Sequence, residues 1–234
     1  MKAYYQTHVG LVRDQNEDTV LVDERQGLYI LADGMGGHQA GEVASLLAAQ
    51  VLSGSLEGKS PSREELLRGF HAANSAVYER QKKDTALSGM GTTLTVLWED
   101  GDHVLLGHVG DSRAYLFRDG RLHQVSEDHS LVGQMLREGV IDEEQARRHP
   151  LRNVITRAVG TEETVRADVS EWPLQPGEKW LLCSDGLTDM VEDAEIERTL
   201  GSLPCSEAAD RLISLALLSG GHDNVSVLLA EVSL

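Results

Sequence analysis

Five aspartates in this chain border apolar runs, and all but the first adjoin glycine, asparagine or serine: Asp18, Asp33, Asp111, Asp185 and Asp223. Asp33 ends the apolar run 28–32 and is followed by a glycine-rich stretch. A short apolar run that stops in this way predicts a buried strand leading into a tight turn. Asp185 follows a second run of the same kind, 179–183, and is also followed by glycine. Because two strands each end in Asp-Gly, we predict that the two aspartates share one site at the end of a sheet.

The donors in this set are all oxygens, and no histidine or cysteine cluster at metal-ligand spacing accompanies them. Oxygen donors suit hard cations such as Mg(II) or Mn(II). A pair of such ions bridged by a carboxylate can hold a phosphate and generate a hydroxide nucleophile. Arg13, which precedes Asp18 on the same loop, can clamp a phosphate bidentately. A single Asp-Gly pair is most simply a turn, but five acids at strand ends favour a metal site.

Nucleophilic catalysis has less support in the residues. Ser184 precedes Asp185, but no Gly-x-Ser-x-Gly elbow surrounds it. The segment Gly34-Met35-Gly36-Gly37 is a weak match to a nucleotide-binding loop, because no Lys-Ser/Thr follows it. Four histidines, at positions 38, 108, 129 and 222, are scattered along the chain, and we expect a lone histidine to make hydrogen bonds at the surface or in a turn.

The 234 residues carry 38 acidic and 21 basic side chains, for a net charge of −17. This balance argues against nucleic acid or an anionic membrane as the main partner, because both require a basic face. The two cysteines, Cys183 and Cys205, form neither a zinc spacing nor a disulfide framework. No stretch has the length of a signal peptide or a membrane span. We therefore expect a monomeric cytoplasmic protein with one domain, residues 1–234.

The hydrophobic pattern predicts strands at 4–12, 19–22, 27–32, 92–98, 103–109, 114–117, 121–125, 165–172, 179–183 and 225–232. Asp-Gly turns at 100–101 and 119–120 predict hairpins. Helices are predicted at 42–56, from a Ser62/Glu65 capping box to about 83, at 131–137, at 142–148, and after a Ser206 cap. In the first helix, Val43, Leu46, Leu47 and Val51 stand at the spacing of a core-facing stripe. The order favours an α+β fold, in which a central β-sandwich of two mostly antiparallel sheets has helices on both outer sides. The polar segment 127–157, called the flap below, is a candidate lid.

Seven ordered blocks carry a specific resemblance: residues 13–18 (Arg-Asp-Gln-Asn-Glu-Asp), 32–38 (Ala-Asp-Gly-Met-Gly-Gly-His), 91–93 (Gly-Thr-Thr), 108–113 (His-Val-Gly-Asp-Ser-Arg), 153–160 (Asn-Val-Ile-Thr-Arg-Ala-Val-Gly), 184–189 (Ser-Asp-Gly-Leu-Thr-Asp) and 223–226 (Asp-Asn-Val-Ser). Through them the chain resembles the bacterial metal-dependent Ser/Thr protein phosphatases of the type 2C (PPM) family over nearly its whole length. The resemblance implies the four-layer α-β-β-α sandwich with metals in a cleft at one end, and it matches 127–157 to the family's variable flap.

The resemblance also implies a role for each site residue. Asp33 would bridge two Mn(II) or Mg(II) ions, and Asp185 and Asp223 would complete the shell of one. The Gly34 carbonyl would bind the other ion, whose waters Glu17 and Asp18 would hold. A third, weaker ion would be bound by Asp111 together with Asp185, and Arg13 would bind the substrate phosphate. The supporting residues would be Asn224, Gly36 and Gly37.

The implied reaction is direct attack by a hydroxide bridging the two ions on phosphoserine or phosphothreonine, in opposition to a bacterial Ser/Thr kinase. Animal members carry a histidine, the proposed general acid, where this chain has Met35, and methionine cannot donate a proton. We hypothesise that a metal-bound water, such as one on the third ion, protonates the leaving group, and His38 is the alternative donor. Two other functions remain open: a binding module that keeps the fold without the chemistry, and a metallohydrolase of small phosphate esters or nucleotides.

Overall fold

The computed structural model describes residues 1–36 and 40–233, in which eleven strands form two antiparallel sheets. One sheet has the order β1-β11-β10-β7-β8, and the other has the order β2-β3-β5-β6-β9, with β4 paired to β3. The strands are β1 (Lys2–His8), β2 (Asp18–Asp23), β3 (Leu28–Met35), β4 (Gly91–Thr92), β5 (Leu94–Asp100), β6 (His103–Val109), β7 (Arg113–Arg118), β8 (Arg121–Gln124), β9 (Asp168–Pro173), β10 (Lys179–Cys183) and β11 (Val225–Glu231).

Seven helices lie in the same described ranges: α1 (Ala40–Leu56), α2 (Arg63–Lys83), α3 (Leu131–Arg137), α4 (Glu143–Arg147), α5 (Asp185–Thr188), α6 (Asp193–Ser202) and α7 (Cys205–Leu218). The helices α1 and α2 pack on the six-stranded sheet, and α5, α6 and α7 pack on the five-stranded one. None of these helices is long and apolar enough to cross a membrane.

The core consists of three apolar layers, and the middle one lies between the sheets. Tyr29 and Leu31 of β3 face that middle layer, where they meet residues such as Trp180. Leu28 and Ile30 of the same strand face α1 and α2. A strand buried on both faces needs apolar side chains at every position, which explains why 28–32 is a continuous run. The sandwich with helices on both outer sides, predicted from the sequence, is confirmed.

The predicted hairpins are also confirmed. Asp100 pairs with His103 at the end of β5 and β6, and Arg118 pairs with Arg121 at the end of β7 and β8. In the second turn Asp119 and Gly120 have φ values of 52° and 74°. Two successive residues with positive φ are what a type I′ turn requires, and the twist of that turn matches the twist of the strands.

The predicted apolar stripe on the first helix was only partly right. Val43 and Leu47 pack against the core, but Leu46 is 44% exposed. The fully buried face of α1 combines small residues such as Ala44, Ser45 and Ala48 with Leu52 and Leu56. The small side chains in the first half of α1 let the helix lie close to its neighbours, and Leu52 and Leu56 fill the core in its second half. A pattern rule that looks only for large apolar residues misses such a face.

Three local predictions also need correction. The Ser62 hydroxyl accepts a hydrogen bond from the Glu65 N–H (3.2 Å), but the Glu65 carboxylate accepts from Arg68, so the capping box is only half formed. The last helix begins at Cys205 after Pro204, whose fixed φ suits a helix start, and not after a Ser206 cap. The first strand ends at His8, because residues 10–12 turn toward Gly221.

Candidate metal centre

Asp18 and Asp33 lie opposite each other in the β2–β3 ladder. The backbone at Asp33 is held on both sides: its N–H donates to Thr93 Oγ1 (2.9 Å), and its carbonyl accepts from the Thr93 N–H (2.9 Å). Thr93 is in turn bonded to Ser112 through their hydroxyls (2.7 Å). The strand end that carries Asp33 is therefore fixed by buried threonine and serine side chains, and not by the glycine turn alone.

Asp185 and Asp223 come to the same place from the other sheet. Asp185 is the first residue of α5, just after β10, and Asp223 precedes β11, which pairs with β10. Ser184 joins the two sheets, because its hydroxyl donates to Asp18 Oδ2 (2.9 Å) and accepts from the Ser226 N–H (2.9 Å). The paired strands β10 and β11 thus deliver acids to the edge where β2 and β3 deliver theirs.

Asn224 ties the loop that carries Arg13 and Glu17 to this edge. Its side-chain oxygen accepts from the Glu17 N–H (2.8 Å). Its amide group donates to the carbonyls of Val9 (2.9 Å) and Gln15 (2.8 Å). All hydrogens and the oxygen of this buried amide are used, as buried polar groups require. Asn224 therefore holds the loop that carries Arg13 and Glu17 against the start of β11.

Asp111 reaches the cluster from the end of β6. It is buried, follows Gly110, and adjoins Ser112, the partner of Thr93. Burial raises its pKa to about 7, and the neighbouring charge of Asp128 adds to the effect. The sequence-predicted aspartates at 18, 33, 111, 185 and 223 are therefore brought together at one end of the sandwich.

The electrostatics of the cluster are those of crowded carboxylates. Burial raises the pKa of Asp33 well above its usual range, and the charges of Asp18, Asp185, Asp111 and Asp223 raise it further. Burial and then the charges of Asp111 and Asp189 do the same to Asp185. Burial raises the pKa of Asp18 to about 6. Like charges held this closely favour the uptake of protons or the binding of a cation.

A divalent cation fits this donor set. Asp18 Oδ1 is buried and has no hydrogen-bond partner in the described residues. Buried acceptors normally have a partner, so this oxygen is available to a metal ion or a metal-bound water. Within residues 1–36 and 40–233 no three acidic, histidine or cysteine side chains form a ready-made cage. Asp223 is turned toward Arg13. The chemistry is that of hard oxygen donors, which select Mg(II) or Mn(II).

Gly34 is tightly enclosed by backbone atoms. A Cβ atom built on it would lie 2.1 Å from the Gly41 carbonyl oxygen and 2.6 Å from the Glu17 carbonyl oxygen. Its N–H donates to that Glu17 oxygen (3.1 Å). The Glu17 carboxylate packs against Gly41, where a Cβ would lie 2.8 Å from it. Only glycine at 34 and 41 lets β3, the start of α1 and the Glu17 loop approach each other in this way.

Arg13 lies at the open side of the cluster. Its side chain is 53% exposed, and Nη2 donates to Asp223 Oδ2 over 2.7 Å. The Asp223 hydrogen bond is the main cause of a raised Arg13 pKa. An exposed guanidinium fixed beside the acids is placed to meet an anion that enters the site.

A cavity of about 190 Å³ separates the acids from the flap. Asp111 and Asp185 line its inner side, and residues of α3 and α4 line its outer side. Arg152 of the flap faces Asp189 of the core, with Nε 3.6 Å from Oδ2. Asp189 follows Asp185 by four residues, one helical turn. No role was predicted for Asp189 from the sequence, although its spacing from Asp185 was a signal that could have been used.

Two predicted residues of the glycine-rich stretch, Gly37 and His38, lie outside the described residues. Gly36 is exposed, and a Cβ atom on it would meet the Ala40 Cβ at 2.9 Å. Sequence reasoning missed the buried stack of His108 and His129, whose ring centroids are 4.9 Å apart. We expected each of these histidines to make hydrogen bonds alone at the surface or in a turn, and this expectation was wrong. The two residues are distant in sequence, and they meet only because the flap folds onto β6.

A family model for protein phosphatase 2C matches residues 8–214. Since this match spans most of the chain, the chain belongs to the protein phosphatase 2C family.

Two curated relatives and one solved structure illustrate the similarity. The serine/threonine phosphatase Stp of Listeria innocua is 41% identical over 100% of this chain and 97% of its own length. The Ser/Thr protein phosphatase PstP of Mycobacterium tuberculosis is 44% identical over 95% of this chain, which spans only 43% of that protein. A crystal structure of the PstP catalytic domain in complex with two manganese ions superposes with a TM-score of 0.90, at 39% identity, over 100% of this chain and 98% of the other.

Proposed function

We propose that this chain is a metal-dependent protein phosphatase that hydrolyses phosphoserine and phosphothreonine. The observation that carries the proposal is the convergence of five aspartates, with one orphaned carboxylate oxygen, at one end of a protein phosphatase 2C fold. The names of the relatives, Ser/Thr phosphatases, support the substrate class. The two manganese ions of the similar PstP structure support Mn(II) or Mg(II) as the cofactor.

We assign the metal-holding roles as follows. Asp33 would be shared by two ions, Asp185 and Asp223 would serve one, and the Gly34 carbonyl would serve the other. Glu17 and Asp18 would hold waters around that second ion, and Asp111 with Asp185 would take a third, weaker ion. When bound, the cations would activate a water for attack on phosphorus and neutralise the phosphate.

The other residues would bind and orient the substrate. Arg13 carries a permanent charge and parallel donors, so it would hold two phosphate oxygens and align the ester with the acids. Asn224 would keep Arg13 and Glu17 in register with Asp223, through its bonds to the loop. These roles require no covalent phosphoenzyme, in line with the lack of a nucleophile motif.

The leaving alkoxide needs a proton, and Met35 has none to give. His38 is the candidate donor among the side chains. His38→Ala would then lose activity toward alkyl phosphates but keep it toward aryl phosphates, whose leaving groups need no proton. Equal retention on both classes would remove His38 from this role.

We propose that residues 1–234 form one domain and that the protein is a monomer. We also propose that it acts in the cytoplasm, where it would dephosphorylate the products of a Ser/Thr kinase. The relatives' names support phosphoprotein substrates. Size-exclusion chromatography with light scattering would test the monomer.

The function is tested by phosphate release from a phosphothreonine peptide and from nucleotides, each with Mn(II) and with chelator. We expect release from the peptide that depends on Mn(II) and exceeds release from nucleotides. Release mainly from nucleotides would favour a small-ester metallohydrolase, and no release from either would favour a binding module.

A further inference from the structure

The neck of the flap is closed by backbone pairing around His129. The His129 carbonyl accepts from the Thr156 N–H (2.8 Å), and the Leu131 N–H donates to the Val154 carbonyl (2.9 Å). Between them, Ser130 and Ile155 form an isolated antiparallel bridge. The chain therefore enters and leaves the flap through one short ladder, and His129 lies at the core end of that ladder.

The same residue clamps Gly110, which precedes Asp111. The His129 N–H donates to the Gly110 carbonyl (2.7 Å), and the Gly110 N–H donates to His129 Nδ1 (3.0 Å). Gly110 has a φ of +116°, and a Cβ on it would lie 2.6 Å from the Thr93 Cβ. The Gly110 carbonyl also lies 3.0 Å from His108 Nε2, whereas the Gly110 N–H is held by the His129 ring. His129 therefore contacts both polar backbone groups of this enclosed glycine and helps to fix the position of Asp111.

The hydrogen-bond pattern fixes the form of the ring. A neutral imidazole has one acceptor nitrogen, and Nδ1 takes that role toward Gly110, so Nε2 carries the hydrogen. Nε2 lies 3.1 Å from Asp168 Oδ2 and 2.8 Å from Arg157 Nη1. Of these two neighbours only the carboxylate can accept that hydrogen. The other oxygen of Asp168 accepts from Arg157 Nη1 (3.0 Å), on the last residue of the flap. The ring also stacks on buried His108.

From this geometry we propose that His129 is a positioning residue that holds Asp111 in its place at the metal cluster and couples that place to the neck of the flap. The inference rests on the proposed function, since it concerns a proposed metal ligand. His129 itself touches neither substrate nor metal in this account. It acts through Gly110 on one side and through Asp168 and Arg157 on the other.

Two substitutions separate the two sides of the ring. His129→Asn keeps an acceptor near the position of Nδ1 and loses the donor to Asp168. His129→Gln keeps a donor near the position of Nε2 and loses the acceptor for Gly110. His123→Asn, at an exposed histidine of β8, is the matched control.

We expect His129→Gln to exchange the Gly110 amide hydrogen with solvent about tenfold faster than wild type, because that amide loses its partner. The weakest class of Mn(II) site, measured by calorimetric titration, should lose about 10- to 100-fold in affinity, the usual effect of removing an outer partner of a ligand. His129→Asn should match the control in both measurements while its flap arginines are cut faster by trypsin.

Unchanged Gly110 exchange in His129→Gln would overturn the proposal. Faster exchange with unchanged Mn(II) affinity would overturn it too, because the histidine would then be only structural. Failure of His129→Asn to retain wild-type Gly110 exchange would contradict the role assigned to Nδ1.

The wild-type protein supplies a test that does not depend on a variant's folding. Nuclear magnetic resonance should detect a scalar coupling across the hydrogen bond between the Gly110 amide nitrogen and His129 Nδ1. No coupling, or a hydrogen on Nδ1, would overturn the proposal. Failure of the proposed function would instead appear as a wild type that releases no phosphate, whatever these measurements give.

Discussion

The guanidinium of Arg13 donates to the carboxylate of Asp223 over 2.7 Å, so the proposed phosphate-binding residue is paired with a proposed metal ligand. Both side chains are partly exposed, at 53% and 33%. An ion pair with this exposure contributes little, about 1 kcal/mol or less. A cation that binds Asp223 therefore displaces Arg13 at small cost and leaves its donors free for phosphate.

Arg13→Ala tests this relationship. We expect KM for a phosphothreonine peptide to rise by about 10- to 100-fold, because the variant loses a charge-assisted hydrogen bond to the phosphate. Affinity for Mn(II) should stay equal or increase, because Asp223 loses a competitor. Steady-state kinetics and calorimetric Mn(II) titration measure the two quantities. An unchanged KM, or Mn(II) binding that weakens with it, would contradict the account.

Asp185→Asn separates function from stability. Without metal, Asp185 is destabilised by burial and by the charges of Asp111 and Asp189. Removing its charge should raise the Tm of the metal-free protein at pH 7. Mn(II) should no longer raise the Tm of the variant, and the variant should lose most of its activity. Differential scanning calorimetry with Mn(II) and with chelator measures this. Asp210→Asn, on the exposed face of α7, is the control and should behave as wild type.

Gly34→Ala and Gly54→Ala form a matched pair. A Cβ at Gly34 meets backbone oxygen at 2.1 Å, while a Cβ at Gly54 in α1 meets nothing within 4 Å. We expect Gly34→Ala to lower the free energy of unfolding by about 1–3 kcal/mol and to reduce activity, as overpacking does. Gly54→Ala should raise that free energy by about 0.5–1 kcal/mol. Urea unfolding measures both, and equal behaviour of the pair would be the contrary result.

His108 makes the stability depend on pH. Burial, and then the charge of His129, lower its pKa from 6.5 to about 4. The unfolded chain takes up a proton below about pH 6.5, whereas the folded chain does so only near pH 4. Stability from this group is therefore complete above pH 6.5 and is lost as the pH falls toward 4, by about 3 kcal/mol.

The check is the difference in unfolding free energy between wild type and His108→Gln across this pH range. Groups common to both proteins cancel in that difference. We expect the stability of the variant to fall less steeply between pH 6.5 and 4, and His123→Gln to keep the wild-type slope. Parallel curves for wild type and His108→Gln would refute the assignment.

Patterns local in the chain predicted much of this molecule. The acids at strand ends could be found because each follows or precedes an apolar run. The second hairpin could be found because Asp119-Gly120 fits the type I′ turn, whereas in the first one Asp100 belongs to the strand and the loop is Gly101-Asp102. The packing face of α1 was only partly predictable in this way, since small residues such as Ala44 and Ala48 carry no strong hydrophobic signal. The helix Asp193–Ser202 was overlooked, because its N-cap Glu192 makes no side-chain cap bond that a motif could reveal.

Contacts between distant segments were beyond the sequence. The bond from Ser184 to Asp18 and the clamp of His129 on Gly110 join residues whose proximity arises from sheet packing and flap closure. Their residue types alone are compatible with many surface roles. The pairing of Arg13 with Asp223 was likewise not foreseen, although both residues were correctly brought to one site.

The most direct test is Mn(II) titration of phosphate release from a phosphothreonine peptide by wild type and by Asp223→Asn at equal protein concentration. The account predicts release by wild type that saturates with Mn(II) and stops with chelator, and release by the variant that stays low at the same Mn(II) concentrations. Release by wild type that persists in chelator, or a variant curve that overlies that of wild type, would contradict it.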